Sequence, residues 1–215
     1  MNRLLAHPVR VLAVVVAAGI GLAGCGAQAH ASDVDRAPAA FSTAAPTVES
    51  DVLVLDGIRH RLAHRAQPRP GYVTRAYLPA GQRPASYERM LLVEVVAGAS
   101  VPDAVRTQVD LLQRRKATDP LVNLDLRTNP RSGEAVLDFT MSGRAADGRP
   151  IVEWNVYRYV PITQHGVRGL QLYGLSLRAY GTDRLAFARN LSETQPREIA
   201  AVSAVRVPRV ALPVG

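Results

Sequence analysis

Two histidines in His60-Arg61-Leu62-Ala63-His64 have the four-residue spacing that lets two imidazoles on a helix reach one metal ion. A zinc-hydrolase helix also needs a glutamate beside the first histidine, as base for the metal's water, and Arg61 stands there instead. A neighbouring cation disfavours a metal ion, so no metal site is expected and the segment reads as a surface loop or short helix. Glu94 and Glu153 each interrupt an apolar strand. Facing one cleft, they could act as acid and base, with burial raising the pKa of one; solvated or paired with arginines, they would do no chemistry. Gly174-Leu175-Ser176-Leu177-Arg178 approaches a nucleophile elbow but lacks the second glycine and lies within a strand, so no catalytic residue is expected there. No glycine-rich loop followed by Lys and Ser or Thr is present to cradle a nucleotide's phosphates, and no cofactor is expected.

Binding chemistry is better represented. Tyr157 and Tyr159 share a strand face with Glu153 and Asn155, and Tyr173 sits on the next strand. Such an amphipathic face suits a binding groove or a partner protein. The other reading is a helix packed over it, with the hydroxyls at a polar rim. Arg59, Arg61, Arg65 and Arg69 form the nearest approach to a basic patch, which would attract anionic headgroups or acidic wall polymers unless the charge is simply scattered for solubility.

Elements that must position these residues follow from periodicity. Residues 51–58 alternate and end at Asp56-Gly57, a hairpin turn pair. Residues 72–79 and 89–98 are two further strands. Ser100 and Asp103 resemble a capping box, and Val101, Val105, Val109 and Leu112 make one stripe of a helix of about fifteen residues. Four strands follow, at 121–127, 135–143, 151–160 and 169–181, with a bulge expected where alternation changes phase at Gly174. A helix over 183–195 is expected to break at Pro196, with a last short helix at 197–205 and a loose tail over 206–215. Short turns forbid parallel neighbours among the middle four strands. The expected class is therefore α+β: an antiparallel sheet of about six or seven strands with packing helices, an α/β/α layered sandwich over residues 51–205.

The amino terminus carries the address. Arg3 and Arg10 precede twelve uncharged, mostly apolar residues, Val11–Leu22. That run is too short to span a bilayer, which takes about twenty apolar residues, and it fits a secretory signal. Leu22-Ala23-Gly24-Cys25 resembles the bacterial lipobox. The resemblance implies cleavage between Gly24 and Cys25, a signal peptide over 1–24, and lipid on the Cys25 thiol. Each buried acyl CH₂ adds about 0.8 kcal/mol, so several chains anchor firmly where one would not. Cys25 is the only cysteine, so no intramolecular disulfide can form. Residues 26–50 are rich in Ala, Ser, Thr and Pro without apolar period and read as a disordered tether reaching about 25–30 Å. In lipoproteins of this kind an Asp after the lipidated cysteine retains the chain at the inner membrane. Gly26 stands there, which favours the outer membrane, facing the periplasm.

The whole chain has a formal net charge of +8, and all but Lys116 of its 26 basic residues are Arg. Removing Arg3 and Arg10 leaves 24 basic against 18 acidic residues. An exported basic protein meets lipid headgroups and wall polymers, so nucleic acid is not an expected partner. The turn Tyr77-Leu78-Pro79-Ala80-Gly81 with Tyr87 and Met90, followed by a helix and a four-stranded meander, resembles the PsbP-like family. That resemblance implies an α-β-α sandwich with an accessory or binding role and no shared catalytic residues. The expectation is a non-enzymatic envelope lipoprotein that binds another envelope protein. An envelope hydrolase and an immunity lipoprotein that blocks a toxin are the alternatives.

Overall fold

A strand of alternating Val and Leu that meets Asp56-Gly57 must turn back on itself. Both turn residues have positive φ, 51° and 76°, the geometry a two-residue hairpin demands. It joins β1 (Val52–Leu55) to β2 (Ile58–Arg69). The hairpin opens an antiparallel sheet completed by β3 (Tyr72–Leu78), β4 (Arg89–Ala97), β5 (Asn123–Asn129), β6 (Glu134–Arg144), β7 (Pro150–Gln164) and β8 (Val167–Tyr180). The strand order is β1-β2-β3-β4-β8-β7-β6-β5. The structure is a computed structural model describing residues 50–145 and 147–212. The lipobox, the cleavage site, Cys25 and tether residues 26–49 lie outside the described residues.

Two helices lie on opposite faces. Helix α1 (Val101–Lys116) starts at Ser100, whose hydroxyl accepts from the Asp103 amide. It buries Val101, Ala104, Val105 and Leu112 against Leu92, Leu137, Tyr157 and Tyr159. Helix α2 (Arg184–Ala204) covers the other face, where Val202 joins Leu91, Val93, Trp154 and Leu175. The layers are thus α/β/α, and the sheet has eight strands where six or seven were expected.

The extra strand is β2. Its alternation is carried by His60 and Leu62 against arginines, an unusual apolar face to read. Register shifts between Leu62 and His64 and between Ala66 and Arg69 then break the period. Pro68 falls in the second break, beyond the reach of β1, where a missing amide costs no ladder bond.

Helix α2 runs unbroken through Pro196 instead of dividing there. Tertiary ties hold its carboxy-terminal half. Arg89 of β4 pairs with Glu198 through two hydrogen bonds of 2.8 and 3.0 Å. Arg158 donates to the carbonyls of Ser203 and Val205. Gln195 donates to Asp138 at 2.7 Å. Residues 206–212, expected as a loose tail, are instead strapped to the same layer. Val210 and Leu212 are buried. Gln164 donates to the Val210 carbonyl and accepts from the Leu212 amide, and Gln171 donates to the Pro208 carbonyl.

Candidate functional site

The register of the central strands sets what shares a face. Glu153 lies opposite Arg178, Asn155 opposite Ser176 and Tyr157 opposite Gly174 across β7 and β8. The α1 side of β7 therefore presents Glu153, Asn155, Tyr157 and Tyr159. All four are buried beneath α1 and neighbouring elements, so they form no open docking face. Tyr173 belongs to the opposite layer, packed with Leu91 and Val93. It cannot join the other four, because its neighbour Gly174 occupies the α1 side.

Strand β8 pairs with β4 and β7 without interruption, so no bulge interrupts it at Gly174. The glycine has another cause. A Cβ there would stand 2.6 Å from Cδ1 of Tyr157, whose ring lies across the strand. The two-sided apolar pattern of β8 is that of a central strand covered on both faces, not of a change in phase. Gly174→Ala should therefore force Tyr157 aside and destabilise the fold by about 1–3 kcal/mol, as overpacked cores do. Urea denaturation checks this; a loss below the measurement error would show that the ring relocates freely.

Beyond Asn155 a small polar cluster forms. The Tyr87 hydroxyl donates to Glu153 at 3.1 Å and accepts from Arg178 at 2.8 Å. Arg178 Nε donates to Glu153 at 2.6 Å, and its guanidinium lies 4.0 Å from the centre of the Tyr87 ring. Burial by itself would lower the pKa of Arg178, but the Glu153 carboxylate outweighs it and holds the proton more firmly. Burial, then the charge of Glu153, raises the pKa of Tyr87 well above the phenol range. Ser176 and Tyr157 both donate to Asn155 Oδ1, at 2.6 and 3.2 Å. A serine whose partner is an amide oxygen has no base to activate it. The cavity beside this cluster is about 120 Å³, lined by Glu153, Arg178, Tyr87, Ser176 and Arg115 among others.

Glu94 is on the same sheet face as Glu153, two strands away by way of β8, yet it does not line that cavity. It is almost wholly buried and accepts from the Tyr72 hydroxyl at 2.7 Å. Burial pushes its pKa up to about 7, against the opposing pull of hydrogen bonds from Tyr72 and Thr74. Glu153, by contrast, is held by a guanidinium and a phenol. The two carboxylates thus sit in separate environments and do not converge on one open space.

The histidine pair separates too. His60 faces α2, fully buried, with Nδ1 2.9 Å from the Ile58 carbonyl oxygen. Burial first, then Arg89, pushes its pKa down to about 4. His64 pairs opposite Ala76, on the other face, because the register shift at Leu62 turns the strand over. One ion cannot reach both, and among the described residues no group of three or more His, Cys, Asp or Glu is placed to hold a metal. The same shift divides the basic patch. Arg61 pairs opposite Leu78 and Arg69 opposite Tyr72, both on the α1 side, with Arg59 in phase with Arg61. Arg65 pairs opposite Arg75, level with Val93, on the α2 side.

A roomier opening lies elsewhere. The side-chain hydrogen bonds from α2 to the sheet begin at Gln195, and its first three turns are largely exposed, touching the core through Phe187 and Leu191. Between those turns and the sheet runs a groove of about 750 Å³. Phe187, Ala188 and Leu191 line it from the helix, and Pro150 and Val152 from β7. Leu121, on the loop after α1, and Leu185 stand at its edge, 44% and 74% exposed. The volume is in the range of small-molecule sites, and the walls are mostly apolar as such sites are. Sequence reasoning missed this groove, because it lies between the first turns of α2, which touch the core through Phe187 and Leu191, and strand residues far away in sequence. It also missed Tyr87 and Arg178 as partners of Glu153. Reading β8 as a continuous strand would have placed Arg178 opposite Glu153.

Fold and sites together describe an α/β/α sandwich with a buried polar cluster on the α1 side of the sheet and an apolar groove beside α2. The chain belongs to the protein family whose model matches residues 49–207. That span begins just before β1 and ends within the strapped tail. No curated protein matches the chain.

Proposed function

We propose that this chain is a lipid-anchored, non-catalytic binding module of the bacterial cell envelope, and that its ligand is the acyl chain of a lipid held between α2 and the sheet. The observation that carries the reading is the groove of about 750 Å³ with mostly apolar walls and exposed Leu185 at its edge. An acyl chain fits that chemistry because it buries apolar surface without asking for hydrogen bonds. A lipid anchor on Cys25 would hold the groove within reach of a membrane, and Gly26 favours the outer membrane. The polar cluster supports the non-catalytic part. Glu153 is spent on Arg178 and Tyr87, and Ser176 on an amide, so neither is poised as base or nucleophile.

Ala188 is exposed and lines the groove from the helix, so a large side chain there fills the groove without entering the core. Nile red, an uncharged apolar dye, should brighten on binding the wild-type protein. Ala188→Trp should weaken that binding by about tenfold or more, equivalent to about 1.4 kcal/mol, with thermal stability unchanged. A folded Ala188→Trp protein that binds the dye as well as wild type would remove the groove as the site.

A further inference from the structure

We infer that Arg184 makes the groove selective for acyl chains that end in an anionic head. The inference rests on the groove being the ligand site. Among the described residues that line the groove, Arg184 is the only charged one. It stands at the amino end of α2 beside Gly181 and Thr182, where the groove meets the start of the helix. Its Nε donates to the Gly181 carbonyl at 2.7 Å, a bond that engages one nitrogen and fixes the plane of the guanidinium. A guanidinium so oriented offers its remaining donors in a fork that matches a carboxylate or a phosphate.

The helix adds to the same preference. The first turn of α2 contains no acidic residue, and the residue before it, Asp183, makes no side-chain capping bond. The amino end of a helix carries a partial positive charge that favours an anion. Asp183 itself lines a separate cleft with Glu88 and Asn190 rather than the groove. A chain threaded along Phe187 and Leu191 with its head toward Gly181 would therefore meet one cation and the positive end of a helix. An uncharged head at that position would gain neither. Arg184 is accordingly a specificity residue, and the apolar walls supply affinity common to all acyl chains.

Displacement of Nile red from the full-length protein tests this with three competitors of the same chain length: oleate, oleoyl lysophosphatidylglycerol and oleyl alcohol, at pH 8. At least one anionic competitor should bind about tenfold or more tighter than the alcohol, the range for a charge-assisted hydrogen bond. Preference for oleate alone identifies a free carboxylate as the head, and preference for the lysolipid alone identifies a phospholipid. Arg184→Gln should bring the preferred competitor down to the level of the alcohol while leaving the alcohol unchanged. Arg184→Lys should keep part of the preference. Equal binding of all three by the wild type would overturn the headgroup inference and leave the groove reading standing. A preference that survives in Arg184→Gln would do the same. If none of the three displaces the dye, both fall together.

Discussion

Arg178→Met is expected to destabilise the protein by about 3–5 kcal/mol, the cost of stranding a buried carboxylate without its cation. Both side chains of the pair are less than a tenth exposed. In the wild type, Glu153 accepts from the Arg178 guanidinium and the Tyr87 hydroxyl. Methionine fills much of the arginine's space but donates nothing, leaving Glu153 with only Tyr87. The carboxyl must then take up a proton or remain charged in a poor solvent for charge. The double variant Arg178→Met/Glu153→Leu separates charge from packing. A buried pair replaced by apolar residues of similar volume is often neutral in stability, so the double variant should recover most of the loss. Urea denaturation of the two variants and the wild type checks this. If the double variant is as unstable as the single one, the loss came from packing around Tyr87 and not from an orphaned charge.

That pair also shows how far residue patterns reach. Glu153, Asn155, Tyr157 and Tyr159 follow from the two-residue period of β7 alone, and they do share a face. What period cannot tell is which layer covers that face. Tyr173 looked like a fifth member because β8 is apolar on both sides, so its phase is invisible without its neighbours. Gly174 looked like a bulge for the same reason, when its lack of a side chain makes room for a ring from the adjacent strand. The helix cap at Ser100 was legible, since the amide it accepts from is three residues away. The strap over residues 206–212 was not, because its anchors, Gln164 and Gln171, lie on distant strands. Nor was the groove. Its walls come from the first turns of α2 and from Pro150 and Val152 of β7, and helix periodicity carries no record of which distant strand a helix lies beside.

Glu94→Gln should flatten the pH dependence of stability between about pH 4.5 and 7. Burial raises the pKa of Glu94 in the folded protein from 4.5 to about 7. Between those values the unfolded chain gives up its proton while the folded protein keeps it. Stability linked to this group is therefore fully present below pH 4.5, falls as pH rises, and is spent above pH 7. At 1.36 kcal/mol per pKa unit, the whole loss is about 3 kcal/mol. Glutamine reproduces the protonated form: its carbonyl accepts from Tyr72 as the carboxyl does, and its amide can donate to Thr74 as a carboxylic proton would. The variant should match the wild type near pH 4.5 and exceed it at pH 8. Melting temperatures measured from pH 4.5 to 8 decide the matter. A wild type and a variant that fall in parallel across that range would mean Glu94 titrates alike in the folded and unfolded chains, and that Tyr72 and Thr74 stabilise its carboxylate as well as water does.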